Sequence, residues 1–119
     1  MSREKGARYE SLALKHLTAN GLKLIEKNFH CRLGEIDLIL RDKDCLVFAE
    51  VRFRTSSRFA SAAHSIDDRK QARIARTAAM YLARRPELSN CTVRFDVIAI
   101  DSADSDQGKL QWMRDAFRV

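Results

Sequence analysis

Two alternating segments around a short polar step constrain this chain most. Glu35-Ile36-Asp37-Leu38-Ile39-Leu40 runs into Arg41-Asp42-Lys43-Asp44, and Cys45 to Phe53 follows. A period of two predicts strands, and the polar step predicts a hairpin between them. If partner numbers sum to 87, Asp42 faces Cys45, Asp37 faces Glu50 and Glu35 faces Arg52. Those last four side chains then share one face of the ribbon. Ile36, Leu38, Leu40, Val47, Ala49, Val51 and Phe53 take the other, which reads as core. A slip of one residue would destroy that separation, so pattern and register support each other.

Directly opposed side chains place their Cβ atoms about 4.5–5.5 Å apart. Two carboxylates about 5 Å apart repel by roughly 3 kcal/mol at an effective dielectric near 20. A shared proton, solvent, Arg52 or a bound divalent cation can offset that repulsion. A solvated polar sheet face with a Glu35–Arg52 surface pair is the alternative to a metal site. Glu10 adds a third acid. It lies one helical step from Gly6, Ala13 and Leu14, at the border of an apolar helical stripe, where a carboxylate needs a partner or a path to water.

The rest of the chain supplies flanking elements. Residues 3–19 read as a helix with Ala7, Leu14 and Leu17 inward, stopped by Asn20-Gly21. Residues 22–31 read as a first strand, Leu33-Gly34 as a turn, and 55–64 as a polar link. Ser65 caps a second helix that runs to about Arg85 and ends at Pro86. Thr92 to Ile100 reads as a strand, 101–108 as an acidic loop, and 109–119 as a short final element. The order α-β-β-β-α-β plus a C-terminal element predicts an α/β domain spanning 1–119, a central mixed β-sheet flanked by helices.

Of 119 residues, 45% are hydrophobic, too many for a disordered chain. No apolar run approaches the length of a membrane span. Cys31, Cys45 and Cys91 are odd in number and far apart, which disfavours a disulfide framework and suits a reducing cytoplasm. With His16, His30 and His64 they show no zinc-ligand spacing, and Cys45 and Cys91 read as packing residues. The net charge is +6, and residues 52–76 hold seven basic residues against two acidic ones. Such a concentrated field suggests a polyanionic partner, unless it is only a solvated face. Within it, Arg69, Arg73 and Arg76 follow helical spacing, Lys70 lies beside them as a substrate-facing candidate, and Arg54 and Arg58 extend the surface.

At these residues the sequence resembles the YraN-like family, small bacterial proteins of uncharacterised role in the restriction-endonuclease-like superfamily, close to archaeal Holliday-junction resolvases. The matching text is Gly6-Ala7-Arg8-Tyr9-Glu10 with Ala13 and Leu17, Asn28-Phe29, and Gly34-Glu35-Ile36-Asp37-Leu38-Ile39. It continues in Val47-Phe48-Ala49-Glu50-Val51-Arg52-Phe53-Arg54, Lys70, Arg94-Phe95-Asp96-Val97-Ile98 and Trp112-Met113-Arg114-Asp115-Ala116-Phe117.

The resemblance implies a restriction-endonuclease-like sheet and a D…ExK type of site. Asp37 and Glu50 would be ligands of Mg²⁺ or Mn²⁺, Glu10 a third acid, and Arg52 would stand in the place of the superfamily's lysine. Phosphodiester hydrolysis in structured or branched DNA would follow by analogy. Arginine stays protonated, so Arg52 can hold a phosphate oxygen or a water but cannot act as a base. Phe59-Ala60 departs from the family's Phe-Gly. Glu35 and Asp96 would support the site from behind, Asp96 by orienting a basic residue or by capping a sheet edge. Trp112 and Phe117 read as cover for the core. A non-catalytic DNA-binding module and a protein-interaction adaptor are the rival classes, and a monomer or a dimer is compatible with the sequence.

Overall fold

The computed structural model describes residues 3–54, 66–101 and 109–118. Its elements are α1 (Arg3–Ala19), β1 (Lys23–Cys31), β2 (Gly34–Asp42), β3 (Cys45–Arg54), α2 (Asp68–Ala83), β4 (Thr92–Asp101) and β5 (Lys109–Phe117). The five strands form one sheet in the order β1-β2-β3-β4-β5. Only β3 and β4 pair in parallel; the other neighbours are antiparallel. Parallel neighbours need a crossover, and α2 lies in it. The α/β class with a mixed sheet and flanking helices is the one expected, and the final element proves to be a fifth strand.

The hairpin has the expected register, from Asp42 opposite Cys45 to Leu38 opposite Ala49. Leu38, Leu40, Val47 and Ala49 meet Tyr9, Ala13 and Leu17 of α1, with Val51 and Phe53 packed against them. The inward stripe of α1 is therefore Tyr9-Ala13-Leu17, spaced by four, while Ala7 is exposed. Gly21 ends the helix with a φ of 94°, and the Leu22 N–H returns to the Leu17 carbonyl.

The second face is covered as well. Ile39, Leu46 and Phe48 pack against Ile74, Ala78 and Tyr81 of α2. Ile36, expected on the α1 side, belongs to this second cluster. Ile36 pairs with Phe29 of the same cluster, whereas Leu38 pairs with Lys27, and Asn28 between those two β1 residues has a φ of 53°. The cap of α2 is Asp67, whose carboxylate accepts the Lys70 N–H at 2.8 Å. The helix is shorter than expected, and Pro86 opens a 3₁₀ turn beyond it. The expected cap, Ser65, lies outside the described residues.

Asp96 is fully buried and saturated with donors. Its carboxylate accepts from Arg94 Nε at 3.0 Å, Trp112 Nε1 at 2.9 Å and the Asp115 N–H at 2.9 Å, while Arg94 Nη1 reaches Asp42 at 3.0 Å. It does orient a basic residue. However, Asp96 pairs with Ala49, whose side chain faces α1. This network therefore ties β4 to β5 and to the hairpin tip, on the side of the sheet away from Glu50. Trp112 packs on the α1-side core, and Phe117 stacks on Phe95 at 5.0 Å beside the other, as expected of covering residues.

Candidate metal and nucleic-acid site

The hairpin ladder stops at Leu38–Ala49, one step short of the two acids. At an unbroken sum of 87 the Val51 N–H would meet Ile36, but it donates instead to Asp37 Oδ2 at 2.8 Å. A carboxylate has thus replaced the backbone of its own strand. The strands separate there, and a cavity of about 560 Å³ opens. Glu35, Asp37, Glu50 and Arg52 line it from the hairpin, and Lys70 and Arg73 line it from α2. All four side chains assigned to the polar face therefore reach one space. A cavity of about 650 Å³ between α2 and β4–β5 is walled mainly by Ala75, Ala79, Leu82, Val93 and Phe117, and gathers no acid pair.

Glu50 is only 6% exposed, and its Oε1 is buried without a hydrogen-bond partner. Burial pushes its carboxyl well above the usual carboxylate range, the neighbouring Asp37 charge pushes further, and Lys70 opposes both. Asp37 is also raised, first by burial and then by the Glu35 charge, although the Val51 N–H pulls it down. Glu10 is raised by partial burial and by the charges of Asp37 and Glu35, with the Asn28 side chain opposing. Four acids thus share one region, with the Asp37 charge bearing on both Glu10 and Glu50 and the Glu35 charge on both Glu10 and Asp37.

An orphaned, desolvated carboxylate oxygen beside a second carboxylate fits a hard divalent cation, which takes oxygen ligands and often only one or two carboxylates. Asp37 and Glu50 are the residues that fit. Among the described residues no group of three His, Cys, Asp or Glu side chains is placed to hold a metal ion, and Glu10 stands near enough to Asp37 and Glu35 to feel both charges. Glu35 has His30 of β1 as its ladder partner.

On α2, Arg73 borders the cavity, while Arg69 and Arg76 continue along the exposed helix surface. Arg54 ends β3, its side chain outside the described ones, and Arg58 lies outside the described residues altogether. Gly34 sets how closely α2 approaches. Its φ is 153°, and an added Cβ would lie 2.9 Å from Thr77 Oγ1 and 3.1 Å from Arg73 Cγ. Gly34→Ala is expected to cost about 1–3 kcal/mol through backbone strain and this crowding. A melting temperature unchanged within a degree would contradict that reading.

His30 and Cys31 also line the cavity. Spacing gave no hint of either, because their place depends on the β1 register and on the turn at Gly34.

Comparison with known proteins follows the same residues. A model of the uncharacterised protein family UPF0102 matches residues 9–100. A UPF0102 protein of Nitrosococcus oceani is 49% identical over 117 residues, covering 98% of this chain and 94% of that one. One from Alcanivorax borkumensis is 48% identical over 91% of this chain and 86% of its own length. One from Legionella pneumophila is 42% identical over 98% of this chain and 97% of its own. With the motifs, the five-stranded mixed sheet and the acid pair in place, the chain belongs to the uncharacterised UPF0102 family, the YraN-like proteins, whose restriction-endonuclease-like assignment agrees with this fold.

Proposed function

We propose that this protein is a divalent-metal-dependent deoxyribonuclease, with Asp37 and Glu50 holding Mg²⁺ or Mn²⁺ and structured or branched DNA as substrate. The observation that carries this reading is the acid pair of half-buried Asp37 and buried Glu50, with an unpartnered Glu50 oxygen, in a cavity that Arg52, Lys70 and Arg73 also line. A bound divalent ion supplies Lewis-acid polarisation of a phosphate and a more acidic water. Arg52 follows Glu50 on the same strand face and donates to a phosphate oxygen, opposing charge that develops during attack. Arg69, Arg73 and Arg76 guide the polyanion along α2, each neutralised phosphate adding about 0.9 to the salt slope for duplex DNA.

Among the described residues no helix is long and apolar enough to cross a membrane. Cys31, Cys45 and Cys91 carry free thiols, which suits a reducing compartment such as the cytoplasm.

The test is cleavage of a panel of end-labelled duplex, single-stranded, flapped and four-way DNAs, with Mg²⁺, Mn²⁺ or chelator, beside an Asp37/Glu50 double variant. Metal-dependent cleavage by wild type and none by the variant supports the reading. No cleavage of any substrate with either metal overturns it. Salt-sensitive DNA binding in that case would leave a non-catalytic binding module.

A further inference from the structure

We infer that Lys70, from the first turn of α2, acts inside the site, holding a non-bridging oxygen of the substrate phosphate over the Asp37–Glu50 pair. This rests on the nuclease reading and assigns a residue within it. Along the sequence Lys70 lies beside the helix stripe Arg69, Arg73 and Arg76, as a substrate-facing candidate. The fold sets it deeper than they are, although Arg73 borders the same cavity. Arg69, Arg73 and Arg76 are exposed, whereas Lys70 is half-buried and lines the cavity that Asp37 and Glu50 share.

Its position is held from two directions. The Lys70 backbone N–H is bound by the Asp67 cap at 2.8 Å, which fixes the first turn. One turn further on, Gly34 lets the β1–β2 turn lie against Arg73 and Thr77, so α2 cannot stand off the cavity. On both Asp37 and Glu50 the strongest cationic influence is that of Lys70.

The two cations suit different work. Arg52 comes from the strand and presents a planar, two-pronged donor. Lys70 brings a compact ammonium on a flexible stem, which can follow a phosphate oxygen as its charge grows. No proton transfer is assigned to it; its contribution is positive charge at a fixed place.

The test compares wild type, Lys70→Met and Lys70→Arg in the full chain, on the DNA that wild type cuts best. Lys70→Met is expected to lower kcat by about 10²–10³-fold, the usual cost of losing one donor to a developing oxyanion. KM should change far less, and the melting temperature should stay within about two degrees, because methionine keeps the apolar length of the half-buried stem. Lys70→Arg should recover part of kcat. Mn²⁺ binding by calorimetry should be unchanged or tighter in Lys70→Met, because a like charge beside the ion is gone.

A Lys70→Met protein with wild-type kcat and raised KM would overturn the assignment, leaving a DNA-backbone contact. So would a loss of Mn²⁺ binding with a lowered melting temperature, which would mark a structural role. If wild type cuts nothing, the nuclease reading falls first and this assignment falls with it; only the other results, in an active wild type, strike Lys70 alone.

Discussion

The Glu50→Gln protein is expected to melt several degrees above wild type at pH 8 and to have lost metal-dependent cleavage. Glu50 is buried, its Oε1 has no partner, and its pKa is raised by burial and by Asp37. A raised pKa means the folded protein holds this proton more tightly than the unfolded chain does. Stability from this group is then fully present below the unfolded value of about 4.3 and is lost as pH rises toward the folded value. As pH rises above that unfolded value the wild type carries a growing penalty for a desolvated charge, on the order of 1–3 kcal/mol. An amide of the same shape removes it. The stability difference should therefore be largest near pH 8 and should shrink towards pH 4.

A divalent cation should act on the same penalty. Mn²⁺ or Mg²⁺ binds the folded acid pair and not the unfolded chain, so it should raise the wild-type melting temperature in a concentration-dependent way. Glu50→Gln should not respond. Asp37→Asn keeps an oxygen able to accept the Val51 N–H, so the strand opening should persist while cleavage is lost and DNA binding is largely kept. A melting temperature for Glu50→Gln below wild type at every pH would mean that the carboxylate is a structural acceptor, and the metal assignment would lose its main support.

The largest loss of stability is expected at Asp96→Ala. The carboxylate is wholly buried and collects Arg94, Trp112 and the Asp115 N–H. Removing it leaves the Arg94 guanidinium with Asp42 alone, and leaves the Trp112 Nε1 and Asp115 N–H without their acceptor. Stranding one partner of a buried ion pair costs about 3–5 kcal/mol. That is a large share of the 5–15 kcal/mol that hold a typical domain together. Urea unfolding should show the midpoint falling sharply with little change in slope. Asp42→Ala should cost far less, since the Asp42–Arg94 pair is partly exposed, at 23% and 17% of the side chains. Equal losses in the two variants would show that the clasp is centred on Arg94 rather than on Asp96.

The sequence alone determined the hairpin, its register and the company of Glu35, Asp37, Glu50 and Arg52. All three follow from alternation with a period of two, which is local. The same alternation could not show that β2 abandons β3 at Asp37, because that break depends on a side chain capturing the Val51 N–H across the ribbon. Nor could it place Ile36, which changes sides beside the left-handed Asn28 of a neighbouring strand. Lys70 stood beside a basic stripe as a substrate-facing candidate, but helical spacing says nothing about where a helix is docked. Only the close approach at Gly34, between residues about forty positions apart, brings that lysine to the acids. Asp96 carried a motif but no sign of its side of the sheet, which the parallel pairing with Ala49 decided. What repeats along the chain was legible in the chain; what depends on one element meeting another was decided by packing.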